Sequence, residues 1–195
     1  MQKIIAASYY SVFALGGARF HNPDYEGYAD TVYLGAFRKE SLFKAGLFDE
    51  KFLRNQDDEL NYRIIKSRGK IYLTPAIKSV YYPRNSLKKL FSQHFQYGEW
   101  RVAFIRKHGK PARLTQLIPA FFVFFNITGL LLFFLPLIRC AYGFVMFCYL
   151  LLDFRFSFTN THLTKFFDKL VLCWVHFVLH ISYGIGFIKG MIISK

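Results

Sequence analysis

From Leu114 to Ile138 the sequence carries no charged residue, a run long enough to cross a hydrocarbon core of ~30 Å. Arg139 interrupts it, Cys140 to Leu152 continues apolar as far as Asp153, and Leu170 to Ile188 is a further uncharged run ending at Lys189. The buried core of so short a chain cannot absorb this much apolar sequence, so a membrane protein is expected. The pattern predicts two to three helices, at about 115–135, 137–153 and 170–190. It reads as a pair of spans turning near Pro136 and Arg139; a single span followed by a half-buried segment is the alternative. His176 and His180 share a face of the last run at i, i+4 spacing. Without a third ligand in sight, hydrogen bonding between helices suits them better than a metal.

Lys and Arg number 26 against 12 Asp and Glu, a formal net charge of +14, which implies an anionic partner. The excess concentrates in residues 84–113, where eight basic residues face a single acid, Glu99. Leu87, Leu90, Phe91 and Phe95 recur there at helical spacing, predicting a basic amphipathic helix. Because this segment leads straight into apolar sequence, a helix at the lipid headgroups is expected rather than a nucleic-acid binder. The same charges place the soluble part in the cytoplasm, which makes the chain a multi-pass protein of the cell's inner (plasma) membrane. Cys140, Cys148 and Cys173 all lie in apolar runs with no CxxC pairing, so neither a disulfide framework nor a zinc site is indicated. The N-terminal MQKIIAASYYSVFALGG is too short and too polar to span a bilayer.

Residues 1–83 read as a water-soluble α/β segment. DTVYLGAF (30–37), KIYLTP (70–75) and IKSVYYP (77–83) are expected strands. KESLFKAGLF is a short helix with Leu42, Phe43 and Leu47 on one face and Gly46 near its end. DDELNYRIIKSRG is a second helix, with acids in its first turn, bases toward its end and Gly69 at the C-cap position. By composition alone, the run Asp57-Asp58-Glu59 is a helix-capping cluster.

The ordered set GAFRKE, AGLFDE and NQDDELNYR over some thirty residues resembles the family 2 glycosyltransferases, GT-A fold enzymes that use nucleotide-diphosphate sugars. ALGGARF, GKIYLTPAIKSVYYPR and HISYGIGFIKG extend the similarity to a membrane-bound subgroup that includes the succinoglycan biosynthesis glycosyltransferases. The implied fold class is α/β, a partial GT-A domain comprising the acceptor-binding half (residues 1–83), followed by the basic interfacial segment (84–113) and an α-helical transmembrane region (114–195). The resemblance makes Asp57 the general base that deprotonates the acceptor hydroxyl for inverting displacement, with Asp58 as the fallback base. Gln56 stands where Glu is usual. Such a base contributes ~10²–10⁴-fold. Gly35, Phe37 and Arg38 are expected near the substrate pocket. Gln96 and Trp100 have the separation of the Gln-x-x-Arg-Trp motif of processive members, in which the Trp stacks on the acceptor sugar. Glu99 replaces the motif's Arg, with Arg101 following, which speaks against a long-chain synthase. Trp100 and Tyr97 as plain interfacial aromatics are an equal alternative.

Family members begin with a nucleotide-binding half and an Asp-x-Asp motif that holds a divalent metal on the diphosphate. No Asp-x-Asp precedes the matching region here, and Met1 falls just upstream of where the acceptor half begins. A divalent metal (Mg or Mn) is therefore expected only for the complete enzyme, with no metal ligand in this chain. The expected partners are the membrane, a nucleotide sugar, a saccharide or lipid-linked acceptor and, if the enzyme is split, a separate nucleotide-binding half. The chain alone is expected to be inactive. A non-catalytic scaffold subunit of a polysaccharide assembly is the alternative function.

Overall fold

The structure, a computed structural model, describes residues 1–15 and 17–193. Gly16, within the ALGGARF stretch, and Ser194 and Lys195, at the end of the expected membrane region, lie outside the described residues. The chain is mostly helical. Two short N-terminal helices, α1 (Gln2–Ser8) and α2 (Val12–Leu15), precede strand β1 (Gly27–Ala29). Helices α3 (Lys39–Ala45) and α4 (Gln56–Lys66), strand β2 (Ile71–Leu73) and the long α5 (Leu87–His108) complete the polar part. A 3₁₀ turn at Leu114–Leu117 leads into α6 (Ile118–Leu131), followed by α7 (Pro136–Phe158) and α8 (Phe166–Ile192).

The sheet is smaller than the α/β reading required. Among the described residues only β1 and β2 pair, antiparallel, with Tyr28 opposite Tyr72. Of the expected strands, only the one after residue 70 forms. The 30–37 segment is held as a loop by α4: the Asn61 side chain donates to the Val32 carbonyl at 3.0 Å, and Leu34 adopts a φ of 53°, which breaks an extended ladder. The 77–83 segment has no partner strand, and Ile77, Val80 and Tyr82 are each more than three-quarters exposed. A strand without a neighbour leaves its backbone groups to water.

Helix α3 forms as expected and ends at Gly46 in the left-handed region, φ 86°. Of its proposed apolar face only Leu42 reaches the small core of Ala45, Leu60, Ile64 and Ile71; Phe43 and Leu47 are exposed. Helix α4 also forms, but Arg68, at φ 65°, takes the left-handed position assigned to Gly69. The Gly69 amide then closes the helix onto the Ile64 carbonyl at 2.8 Å, where a Cβ would sit 2.6 Å from the Ile64 side chain. The glycine is needed one residue later than its chemistry suggests.

Three helical segments, Leu114–Leu131, Pro136–Phe158 and Phe166–Ile192, are long and apolar enough to cross a membrane. Proline opens α7 at its first turn, so the pair of helices turning near Pro136 is what forms. They differ in surroundings: 11% and 6% of the first two apolar windows are buried within the chain, against 44% for α8. The exposed apolar surface of α6 and α7 far exceeds what a water-soluble protein leaves open. Helix α8 is the packing centre. Its residues Leu172, Val175 and Leu179 join Ile4, Ile5 and Leu90 in the main core.

Helix α5, the basic amphipathic helix, lies along α8 in the same direction and over most of its length. Leu90 packs beside Leu172 and Leu179, Glu99 meets Lys189 at 3.1 Å, and Arg106 donates to the Met191 carbonyl at 2.9 Å. Glycines permit this approach from both sides. A Cβ on Gly98 would fall 2.0 Å from the Tyr183 carbonyl oxygen, and one on Gly186 would fall 1.9 Å from that of Phe95. Small residues at a helix crossing let backbones touch directly. Part of the apolar face predicted for a headgroup layer is covered by α8, with Leu90 fully buried, while Phe91 stays exposed. His176 and His180 do share a face and make the expected helix-to-helix bonds, to Asp153 at 2.7 Å and Tyr149 at 2.9 Å, both on α7.

Candidate active site

Helix α4 starts after Asn55, which sits at φ 57° and donates its side-chain amide to the Tyr97 carbonyl on α5 at 3.2 Å. The start of α4 is therefore tied to α5. Successive residues of a helix point about 100° apart, so the three consecutive acids reach three different environments.

Glu59 is fully buried. It accepts from Arg63 at 2.8 Å, lies 2.7 Å from Lys107 and 3.0 Å from His108, while Arg63 also donates to the Ala45 and Leu47 carbonyls. Burial pushes its carboxyl up, but the bonds from Arg63 and Lys107 outweigh burial and hold it below the usual carboxylate range. Glu59 is a clamp joining α3, α4 and α5.

Asp58 is also committed. Its Oδ1 accepts from the Thr31 hydroxyl at 2.6 Å, and its Oδ2 accepts from Arg101 Nη2 at 2.6 Å. Arg101 is buried, and its Nε and Nη1 have no hydrogen-bond partner among the described residues. The Thr31 hydroxyl also accepts from Asn61 at 3.0 Å, so Asp58, Thr31 and Asn61 latch the 30–38 loop onto α4.

Asp57 forms no ion pair among the described residues and only caps the Asp58 amide at 2.9 Å. It opens onto a cleft of about 2070 Å³. Burial raises the affinity of its carboxyl for a proton, and the charge of Asp58 adds to the shift. A carboxylate with raised proton affinity and an open face can take a proton from a bound hydroxyl. The cleft extends from the 30–38 loop and the 70–84 segment to Pro119 and Phe122 on α6 and to His180 and Tyr183 on α8. Its polar end is continuous with the apolar helices.

Gly35, Phe37 and Arg38 all line this cleft together with Asp57 and Asp58. Gln96 and Trp100 are placed differently. Trp100 is 8% exposed, packs 5.7 Å from Phe52 and is not in the cleft wall. Gln96 accepts from Arg54 Nε at 2.8 Å in a side pocket of about 190 Å³. Both residues contact the 52–54 loop that precedes α4, outside the wall of the main cleft.

The succinoglycan biosynthesis protein ExoA of Rhizobium meliloti (strain 1021) is 34% identical over 118 residues, covering 60% of this chain and 36% of that protein. A dolichyl N-acetyl-alpha-D-glucosaminyl phosphate 3-beta-D-2,3-diacetamido-2,3-dideoxy-beta-D-glucuronosyltransferase of Methanococcus voltae is 35% identical over 138 residues, covering 68% of this chain and 42% of that protein. The chain is similar to part of each of these two proteins, the second of which is a glucuronosyltransferase by name. It spans about two fifths of the length of the curated relatives it matches. No protein-family profile matches the chain, and no solved structure matches it.

The resemblance to glycosyltransferases carries the expectation of a divalent metal on the donor diphosphate. Among the described residues, no group of three His, Cys, Asp or Glu side chains is placed to hold one. Asp57 and Asp58 do not supply such a set, because Asp58 is taken up by Arg101 and Thr31. No step is assigned to a metal held by these residues.

Sequence reasoning missed three contributors. Arg101 was visible only as the residue after Trp100, and nothing in its spacing points 43 residues back to Asp58. Thr31 sat inside an expected strand. Tyr97 lines both the cleft and the side pocket, and its position one helical turn after Gln93, which donates to its hydroxyl at 2.8 Å, is the one local signal.

Proposed function

We propose that this chain is the acceptor-binding and membrane-anchoring part of an inverting glycosyltransferase. The whole enzyme moves a sugar from a nucleotide-diphosphate donor to a lipid-linked saccharide at the cytoplasmic face of the plasma membrane, in the synthesis of an exopolysaccharide or other surface polysaccharide. The observation that carries this reading is the placement of Asp57, the first-turn acid of α4 without an ion-pair partner among the described residues, in a cleft that continues to the apolar helices. A lipid-linked acceptor needs such continuity, with its saccharide at the carboxylate and its lipid against α6. The Methanococcus relative carries a dolichyl sugar phosphate in its name, which supports a lipid-linked acceptor.

In the reaction, Asp57 takes the proton of the acceptor hydroxyl as that oxygen bonds the anomeric carbon and the nucleoside diphosphate departs with the electrons of the broken bond. A divalent cation, if held with the donor by a nucleotide-binding half, would supply charge neutralisation at the leaving diphosphate. Arg101 and Thr31 hold Asp58, and the loop it latches, beside the base.

The packing of α5 on α8 supports a topology in which α6 and α7 enter the bilayer as a hairpin while α8 lies with α5 along the cytoplasmic face. Were α8 to cross, α5 would have to cross beside it, carrying Arg101, Lys107 and the start of α4 into hydrocarbon. Each buried cation there costs about 3 kcal/mol.

The test is sugar transfer in membranes, comparing the 195-residue chain alone with the chain supplied with a nucleotide-binding half. Transfer is expected in the second case only, and Asp57→Asn removes it. Undiminished transfer by Asp57→Asn would overturn the assignment of the base.

A further inference from the structure

Beside the main cleft, the side pocket of about 190 Å³ has three cations in its wall, Arg54, Arg84 and Lys89, and no acid. In a chain with 12 acids, the distribution of charge partners is informative. Arg63, Arg101, Lys107, Arg113 and Lys189 each have a carboxylate. Arg54, Arg84 and Lys89 enter no ion pair among the described residues, although Asp57 is close by in the sequence and in the cleft.

Neutral amides hold the two arginines instead. Arg54 donates its Nε to Gln96 Oε1 at 2.8 Å, and Arg84 donates its Nε to Gln93 Oε1 at 3.3 Å. Gln93 is itself fixed by donating to the Tyr97 hydroxyl at 2.8 Å and to that of Tyr81 at 3.3 Å. A guanidinium oriented through Nε by a neutral acceptor keeps its charge uncompensated. It also keeps its terminal N–H groups for a bidentate anion, the geometry by which arginine recognises phosphate. Arg54, Arg84, Gln93 and Tyr97 line the main cleft as well, so the cationic pocket opens directly beside Asp57.

We propose that Arg54, Arg84 and Lys89 form the subsite for the phosphate or diphosphate of the lipid-linked acceptor. This rests on the glycosyltransferase reading of the same cleft. The anion fixes the head of the acceptor in the side pocket, so the saccharide beyond it extends to Asp57 while the lipid follows the cleft toward α6. Charge sets the class of ligand, and continuity with the cleft sets its place in the reaction.

Binding is measured directly, without sugar transfer, as the affinity of the purified chain for a labelled polyprenyl diphosphate in neutral detergent micelles. Arg54→Gln and Arg84→Gln are each expected to weaken it by about tenfold. Lys88→Gln removes a neighbouring exposed charge outside the pocket wall and is expected to leave it unchanged. Equal weakening by Lys88→Gln, or no weakening by either arginine variant, overturns the proposal. Two competitors separate the sources of phosphate. Uridine diphosphate displacing the lipid as well as unlabelled polyprenyl diphosphate does would make the pocket a donor site, and phosphatidylglycerol doing so would make it a general headgroup site; either result overturns the acceptor assignment. Normal binding by Arg84→Gln with loss of transfer in Asp57→Asn sinks the subsite alone; lost binding by Arg84→Gln with full transfer by Asp57→Asn sinks the catalytic reading alone.

Discussion

Arg101 Nη2 on α5 donates to Asp58 Oδ2 at the start of α4 across 2.6 Å, joining residues 43 positions apart. The bond joins the helix that bears the acids to the helix that packs along α8. It also determines which of the two neighbouring aspartates is paired with a cation.

Arg101→Met is expected to lower stability by about 2–4 kcal/mol, because it leaves the Asp58 carboxylate half-buried without its cation. Thermal unfolding in detergent reads this directly. Lys107→Met, at a more exposed cation, serves as a milder comparison. A loss no larger than that of Lys107→Met would show that the pair contributes little.

Asp57→Asn should abolish transfer and yet raise stability at neutral pH. The native state raises the proton affinity of Asp57 above its ordinary value of 3.8, so the folded form binds more protons than the unfolded one in the window just above that value. Stability therefore falls as pH rises through the window, and the cost is fully present above the raised value. Asparagine removes it. A transition temperature that drops in Asp57→Asn at pH 7 and stays level at pH 3 would contradict the burial argument.

The acid limb of the pH–rate profile should lie above the ordinary carboxylate range, because the base must be ionised to act. Asp58→Asn should move that limb to lower pH, since it removes the negative neighbour and leaves the Arg101 charge beside Asp57. An unmoved limb would mean that another group governs it.

Gly186→Leu should part α5 from α8, because even its Cβ would lie 1.9 Å from the Phe95 carbonyl oxygen. The backbone cannot yield as a side chain can, so a loss of about 3 kcal/mol or more is expected. Gly143→Leu on α7, where nothing lies within 4 Å of the added Cβ, should be tolerated. Similar melting temperatures for the two variants would rule out the close crossing.

A reporter fused after Ile193 should be found on the same side of the membrane as one inserted in the exposed 77–82 segment. That outcome follows if α6 and α7 are the inserted pair. Opposite locations would make α8 a third span.

The long apolar runs, the basic amphipathic helix, the acidic first turn of α4 and the resemblance over residues 32–64 were all legible along the chain. Each depends on local periodicity or on residues close together in sequence. The helical spacing of Leu87, Leu90, Phe91 and Phe95 falls on α5, and Gly46 ends α3, for the same reason. The extended segments at 30–37 and 77–83 have the composition of strands, but a strand exists only with a neighbour, and neighbours are chosen by the whole fold.

The sequence by itself determined that this chain carries acids at the head of a helix, a basic segment and enough apolar length for a membrane. Tertiary structure decided what each acid does. Glu59 is buried in a cluster of Arg63, Lys107 and His108, Asp58 is bound by Arg101, and Asp57 is left facing the cleft. Three adjacent carboxylates are chemically almost alike in the sequence. Their separation into clamp, latch and open base comes from the 100° step of the helix and from cations delivered by α5, a partner that only packing brings within reach.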